Sequence, residues 1–167
     1  MTTEASTSRI DEVLAAARGR LRRLPARQVP DALRRGAVLV DIRPQAQRER
    51  DGGVPAALVI ERNVLEWRCD PTSEARLPHA VDDDVEWVVL CSEGYTSSLA
   101  AAALQDLGLH RATDVAGGYR ALCETGALAE LARPATPVPS LSRAAARSSP
   151  ASIRAAAERP PTRSRRP

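Results

Sequence analysis

Apolar residues along the chain come in two rhythms. Ile10, Val13, Leu14, Ala17 and Leu21 recur three and four apart behind Ser8 and Asp11, a capping pair, so the spacing predicts a helix over about 9–23. A shorter helix is expected over 29–35, where Gly36 can close it. The other rhythm is the short apolar run: "AVLVDI" at 37–42, "ALVI" at 57–60, "VEWVVL" at 85–90, and "ATDVAGGY" at 112–119, which breaks at Gly117 and Gly118. Runs of this length, rich in Val, Ile and Leu and without strict alternation, are what strands covered on both faces look like.

Between these runs the polar stretch "RPQAQRERDGG" at 43–53 suits a helix as far as Gly52, and Asn63 with Glu66 matches a capping box for a brief helix near Trp67. Pro, Asp and Ser make 69–84 a loop, the Ala-rich segment from Ser97 forms a helix ending at Gly108, and a last helix is expected over 119–131. Strands alternating with helices over 24–131 predict an α/β fold, a central parallel sheet of about five strands flanked by helices on both faces.

From Pro134 onward Pro, Ala, Ser and Arg replace large apolar residues, leaving nothing with which to bury a core. The expected organisation is therefore a polar N-terminal segment and helix over 1–21, one domain over 22–132, and a disordered tail over 133–167. Charge follows the same division. All 24 basic residues are Arg, and seven of them lie in 134–167 beside a single acid, Glu158, so the body is mildly acidic and the tail basic. With no basic stripe and few aromatics in the body, nucleic-acid binding by the core domain is not expected.

Cys69, Cys91 and Cys123 form no CxxC pair, which argues against a disulfide framework and against a thiolate metal site, and suits a reduced, cytoplasmic setting. No segment approaches the ~20 apolar residues of a membrane helix, and the N-terminus lacks the basic start and apolar middle of a secretory signal.

Cys91 stands where the run "VEWVVL" gives way to "SEGYTSS" and the helix after it. Ligands of parallel sheets collect at the carboxyl ends of strands, where helix N-termini present unpaired N–H groups. A loop of Ser92, Glu93, Gly94, Tyr95, Thr96 and Ser97 curled around the sulfur would aim its amides inward and favour a thiolate. Gly94 suits a positive φ, and Thr96 and Ser97 can cap the helix or donate inward. A buried cysteine that is merely a small hydrophobe, followed by a plain turn, is the other reading of the same residues.

Cys91, Gly94 and Thr96 resemble the active-site loop of the rhodanese superfamily. "LVDIRP" is similar to that family's Asp-x-Arg signature at Asp41 and Arg43, "GGVPAA" at 52–57 stands where rhodaneses read Gly-His-Ile-Pro-Gly-Ala, and "DVAGGYRAL" resembles the closing Gly-Gly turn. The resemblance spans about 22–128 and implies a single-domain sulfurtransferase. Its cysteine would take a sulfane sulfur from a small donor as a persulfide and pass it to a thiol or cyanide, with no metal or organic cofactor. A protein partner is a further option. It also implies that Arg62 or Arg68, in "ERNVLEWR", faces the loop and grips substrate or offsets Glu93. Asp41 would orient the loop. Gly53, Ala56 and Leu122 depart from the pattern, and Glu93 near the mouth would discourage dianionic donors such as thiosulfate. A cysteine phosphatase would need Arg six places after the cysteine, and Ser97 stands there. A non-catalytic or redox-sensing module of the same fold is the stronger rival.

Overall fold

The computed structural model describes residues 8–133. Residues 1–7 of the expected N-terminal segment and the expected disordered tail lie outside those residues, apart from Arg133.

Five strands form one parallel sheet: β1 (Leu24–Pro25), β2 (Val38–Asp41), β3 (Leu58–Val59), β4 (Trp87–Leu90) and β5 (Thr113–Ala116), in the order β1-β5-β4-β2-β3. The centre is β4, whose four residues are all buried, as an unbroken apolar run requires. Alternation along the strands separates two cores. Val40, Trp87 and Val89 share one cluster with residues of the helices α4 (Leu65–Cys69) and α5 (Thr96–Asp106). Leu39, Val88, Leu90 and Val115 share the other with residues of α2 (Val29–Arg34), α6 (Gly118–Glu124) and α7 (Ala127–Leu131). Helix α1 (Arg9–Arg20) packs on α5 and buries Leu14 and Ala17. Its Ser8 cap forms as expected, the hydroxyl oxygen accepting from Asp11 N at 3.3 Å.

The strand without a counterpart among the four apolar runs is β1, the dipeptide Leu24–Pro25 at the sheet edge, where a proline is tolerated; it is too short to leave a periodic signal. Two local expectations are corrected. The last helix is two: Gly126 takes φ +77° between α6 and α7 and turns the chain. Asn63 does not cap; it lies inside a 3-10 turn, Arg62–Val64, that leads into α4, and Glu66 binds Arg62 instead. The polar helix, α3 (Gln45–Asp51), buries none of its residues, which is why it carries no apolar period.

Because β2, β4 and β5 are adjacent and parallel, the segments leaving their carboxyl ends meet. These are Ile42 to Pro44, Cys91 and its loop, and the glycine pair 117–118.

Candidate active site

Cys91 follows β4 directly and is 9% exposed. Its Sγ accepts from the backbone N–H of Gly94 at 3.2 Å and of Ser97 at 3.4 Å, and lies 3.2 Å from Ser97 Oγ. The loop's carbonyls are tied down elsewhere: Tyr119 N donates to Cys91 O at 2.8 Å and Arg120 N to Ser92 O at 3.1 Å. Since a peptide unit is planar, fixing these carbonyls to α6 turns the amides of Ser92 and Glu93 the other way, ahead of the Gly94 amide that reaches the sulfur. This approach needs glycine on both sides. Gly94 has φ +80°, and a Cβ there would stand 2.9 Å from Gly117 N. Gly118 has φ +60°, and a Cβ there would meet Cys91 O at 2.4 Å.

From the other side Gly94 O accepts from Arg18 Nη2 (2.8 Å) and Arg23 Nη2 (2.9 Å) and lies 3.1 Å from Ser98 Oγ. The loop is thus held by groups from α1, α5, α6 and the segment before β1. A cavity of about 880 Å³ opens in front of Cys91. Its charged groups are paired: Glu93 with Arg120 at 2.6 Å, Arg62 with Glu66 at 2.8 Å, Arg50 with Asp51 at 2.7 Å.

Ser92, Glu93, Tyr95, Thr96 and Arg62 line this cavity, with Cys91 at its base. Ser92 Oγ donates to Gln47 Oε1 at 2.7 Å. Tyr95 is more than half exposed, with the Arg18 guanidinium 5.1 Å from its ring centre. Thr96 is the first residue of α5, and no side chain caps that helix; Ser97 turns its hydroxyl toward the sulfur and Asp114. Arg68 is not brought to the cavity; its Nη1 donates to Ala75 O at 2.9 Å. The carboxylate of Asp41 bonds Arg43, through backbone N at 3.0 Å and Nη2 at 2.7 Å, so it shapes its own turn and not the cysteine loop. Arg43 in turn donates to Gly52 O and stacks 3.9 Å from the centre of the Tyr119 ring.

Sequence reasoning missed Arg120, Gln47, Arg18, Arg23 and Asp114. None has a local signal; each reads as an ordinary polar position until the fold brings it to the loop. The other thiols differ sharply. Cys69 is wholly buried, and burial, aided by Glu66, pushes its thiol up to about 12. Cys123 is exposed and lines the same cavity as Cys91. Among the described residues no cluster of His, Cys, Asp or Glu is placed to hold a metal, and no helix is long and apolar enough to cross a membrane.

A parallel sheet whose central strand ends in a cysteine cradled by loop amides defines a class of α/β domain. Residues 25–125 match the rhodanese-like domain family, and the chain belongs to it. A protein of unknown function from Rhodopseudomonas palustris, described as a possible tyrosine phosphatase, is 30% identical. That match covers 75% of this chain and 96% of that one with a TM-score of 0.63. The reduced CoADR-RHD of Bacillus anthracis shares the fold at 19% identity and a TM-score of 0.52, over 70% of this chain and 20% of that one. The human single-domain sulfurtransferase TSTD1 is 26% identical over 61% of this chain and 95% of that one, with a TM-score of 0.49. No curated protein sequence matches closely enough to serve as a relative.

Proposed function

We propose that the protein is a sulfurtransferase that carries a sulfane sulfur on Cys91. The observation that supports this most directly is the sulfur's position, at the base of an open cavity while accepting the Gly94 and Ser97 amides. Such donors stabilise negative charge on sulfur without needing to move during the reaction. The Cys91 thiolate attacks the outer sulfur of a donor such as thiosulfate; the new S–S bond forms as the donor's S–S bond breaks, and sulfite leaves with its electron pair. The persulfide then loses that outer sulfur to a nucleophile, a thiolate or cyanide, and Cys91 is regenerated as thiolate. Glu93 and Arg120 cancel at the mouth, so a donor of low net charge suits the cavity better than a dianion.

Incubation with thiosulfate, 3-mercaptopyruvate or a low-molecular-weight persulfide, followed by mass spectrometry, should show one added sulfur atom on Cys91. Cyanide should remove it as thiocyanate, and Cys91→Ser should take none. Absence of the adduct with every donor would falsify the proposal.

Phosphoryl transfer, suggested by the description of the R. palustris protein, is disfavoured because Ser97 occupies the position where a bidentate arginine would grip phosphate. Oxidant sensing is a second reading, favoured by Cys123 sharing the cavity with Cys91. Its signature would be sulfenylation of Cys91 by dilute peroxide with no sulfur transfer.

A further inference from the structure

Beneath the cysteine loop lies a polar network that sulfur binding does not itself require. Asp114 on β5 is fully buried. Its carboxylate accepts from Arg23 Nε at 2.9 Å and Nη2 at 3.0 Å, from Ser98 Oγ at 2.8 Å and from Ser97 Oγ at 2.9 Å. Ser97, also fully buried, therefore has one hydroxyl proton and two neighbours able to take it, Asp114 Oδ2 and Cys91 Sγ at 3.2 Å. Both distances suit one arrangement in which the Ser97 proton points to Asp114 and a protonated Cys91 thiol donates to Ser97 Oγ.

That arrangement suits only a protonated sulfur. Once the thiol proton has left through the cavity to solvent, Cys91 has nothing to donate, and a Ser97 oxygen would face a charged sulfur lone pair to lone pair. A rotation about the Ser97 Cβ–Oγ bond removes the conflict. The hydroxyl then donates to Sγ, and Asp114 keeps Arg23 and Ser98. No bond to a heavy atom is made or broken.

We propose that Ser97 and Asp114 form a charge-responsive support for Cys91, in which the Ser97 hydroxyl donates to Asp114 when the sulfur is protonated and to the sulfur when it is a thiolate. Ser97 adds a third donor to the Gly94 and Ser97 amides, and Asp114 is a positioning residue that competes for the same proton. The inference rests on Cys91 being the reactive thiol. Other charges around Cys91 are compensated: Glu93 by Arg120, Arg62 by Glu66, Arg50 by Asp51, and buried Arg43 by Asp41. Arg18 reaches the loop through Gly94 O and the Tyr95 ring, and Tyr95, Tyr119 and Cys123 are the remaining titratable groups of the cavity. Of all these, only Asp114 is joined to the sulfur through a single hydroxyl.

The test is the pH profile of Cys91 alkylation by iodoacetamide, read by mass spectrometry on the full chain and on Ser97→Ala, Asp114→Asn and the double variant. A hydrogen bond lost from a charged sulfur moves the half-maximal pH of Ser97→Ala up by about one unit. Asp114→Asn moves it down, because the competitor for the proton is weakened. In the double variant the Asp114→Asn shift shrinks, since no hydroxyl remains to be redirected. An unchanged half-maximal pH in Ser97→Ala overturns the inference, as does an Asp114→Asn shift of the same size with and without Ser97. Should Asp114→Asn fail to melt cooperatively, Ser97→Ala alone decides. Sulfur loading of the same wild-type sample keeps the two proposals apart. A sulfur adduct with no alkylation shift defeats only the support, and a shift with no adduct defeats only the sulfurtransferase reading.

Discussion

Glu93 is the residue whose meaning changes most once its neighbours are known. As the second residue after Cys91 it looks like an obstacle to anions, yet Arg120 Nη2 meets its carboxylate at 2.6 Å. Both side chains are substantially exposed, so the pair contributes only about 0–1 kcal/mol to stability. Its effect on a charged donor is the larger one. Arg120→Ala should lower thiosulfate turnover about fivefold, the consequence of ~1 kcal/mol between a bared carboxylate and a dianion in nearly aqueous surroundings, with almost no change in melting temperature. Glu93→Arg should raise it; steady-state assays of both variants check the pair. Cys69 gives a pH prediction. Its folded-state value, about 12, lies above the ordinary 9.0 because burial disfavours the thiolate. Between those values the unfolded chain has lost this proton and the folded chain has not, so stability falls as pH rises, by up to about 1.4 kcal/mol per unit for one proton. Below 9.0 the group contributes no pH dependence. Denaturant titrations from about pH 8 to about pH 11 should show a shallower decline in Cys69→Val than in the wild type.

At the scale of elements, the loop's shape belongs to the helices around it. Helix α6 holds the Cys91 and Ser92 carbonyls, while α1 and the segment before β1 hold that of Gly94 through Arg18 and Arg23. Helix α1 lies outside the residues that match the family, so this part of the clamp comes from a segment the family match does not include. Arg18→Ala should speed amide hydrogen exchange over residues 92–97 about tenfold, the effect of losing one charge-assisted hydrogen bond, while leaving exchange in β4 unchanged. Arg20→Ala, which removes an exposed pair with Asp106, serves as the control and should change neither. Pattern reading found α1, α2, α5 and the strands β2 to β5 from their apolar residues, and α3 from its polar, helix-compatible stretch. It misjudged the ones shaped by single residues or by edge position, such as the Gly126 break and the Leu24–Pro25 strand.

For the whole molecule, most of the buried apolar residues of 8–133 fall in two clusters, one on each face of the sheet. The basic stretch 134–167 holds almost none of the large side chains such clusters need. Removing it should leave the melting temperature within about 1 °C of the full chain, since few apolar groups are available to change the burial on folding. Calorimetry of the 1–133 fragment beside the full chain checks this, and a large fall would mean that the tail packs on the domain.

Sequence by itself determined the parallel α/β class, the place of Cys91 at the end of a buried strand, and Gly94 as the residue that lets the loop turn around it. Those depend on local rules, hydrophobic period, turn stereochemistry and strand polarity, which neighbouring residues carry among themselves. Tertiary structure alone decided that Arg120 and not Arg68 stands by Glu93, that Asp41 serves Arg43, and that Asp114 and Ser97 lie under the sulfur. The physical reason is distance along the chain. A polar side chain acts over a few ångströms, and the partners of the Cys91 loop come from segments tens of residues away that only the folded sheet brings within hydrogen-bonding reach.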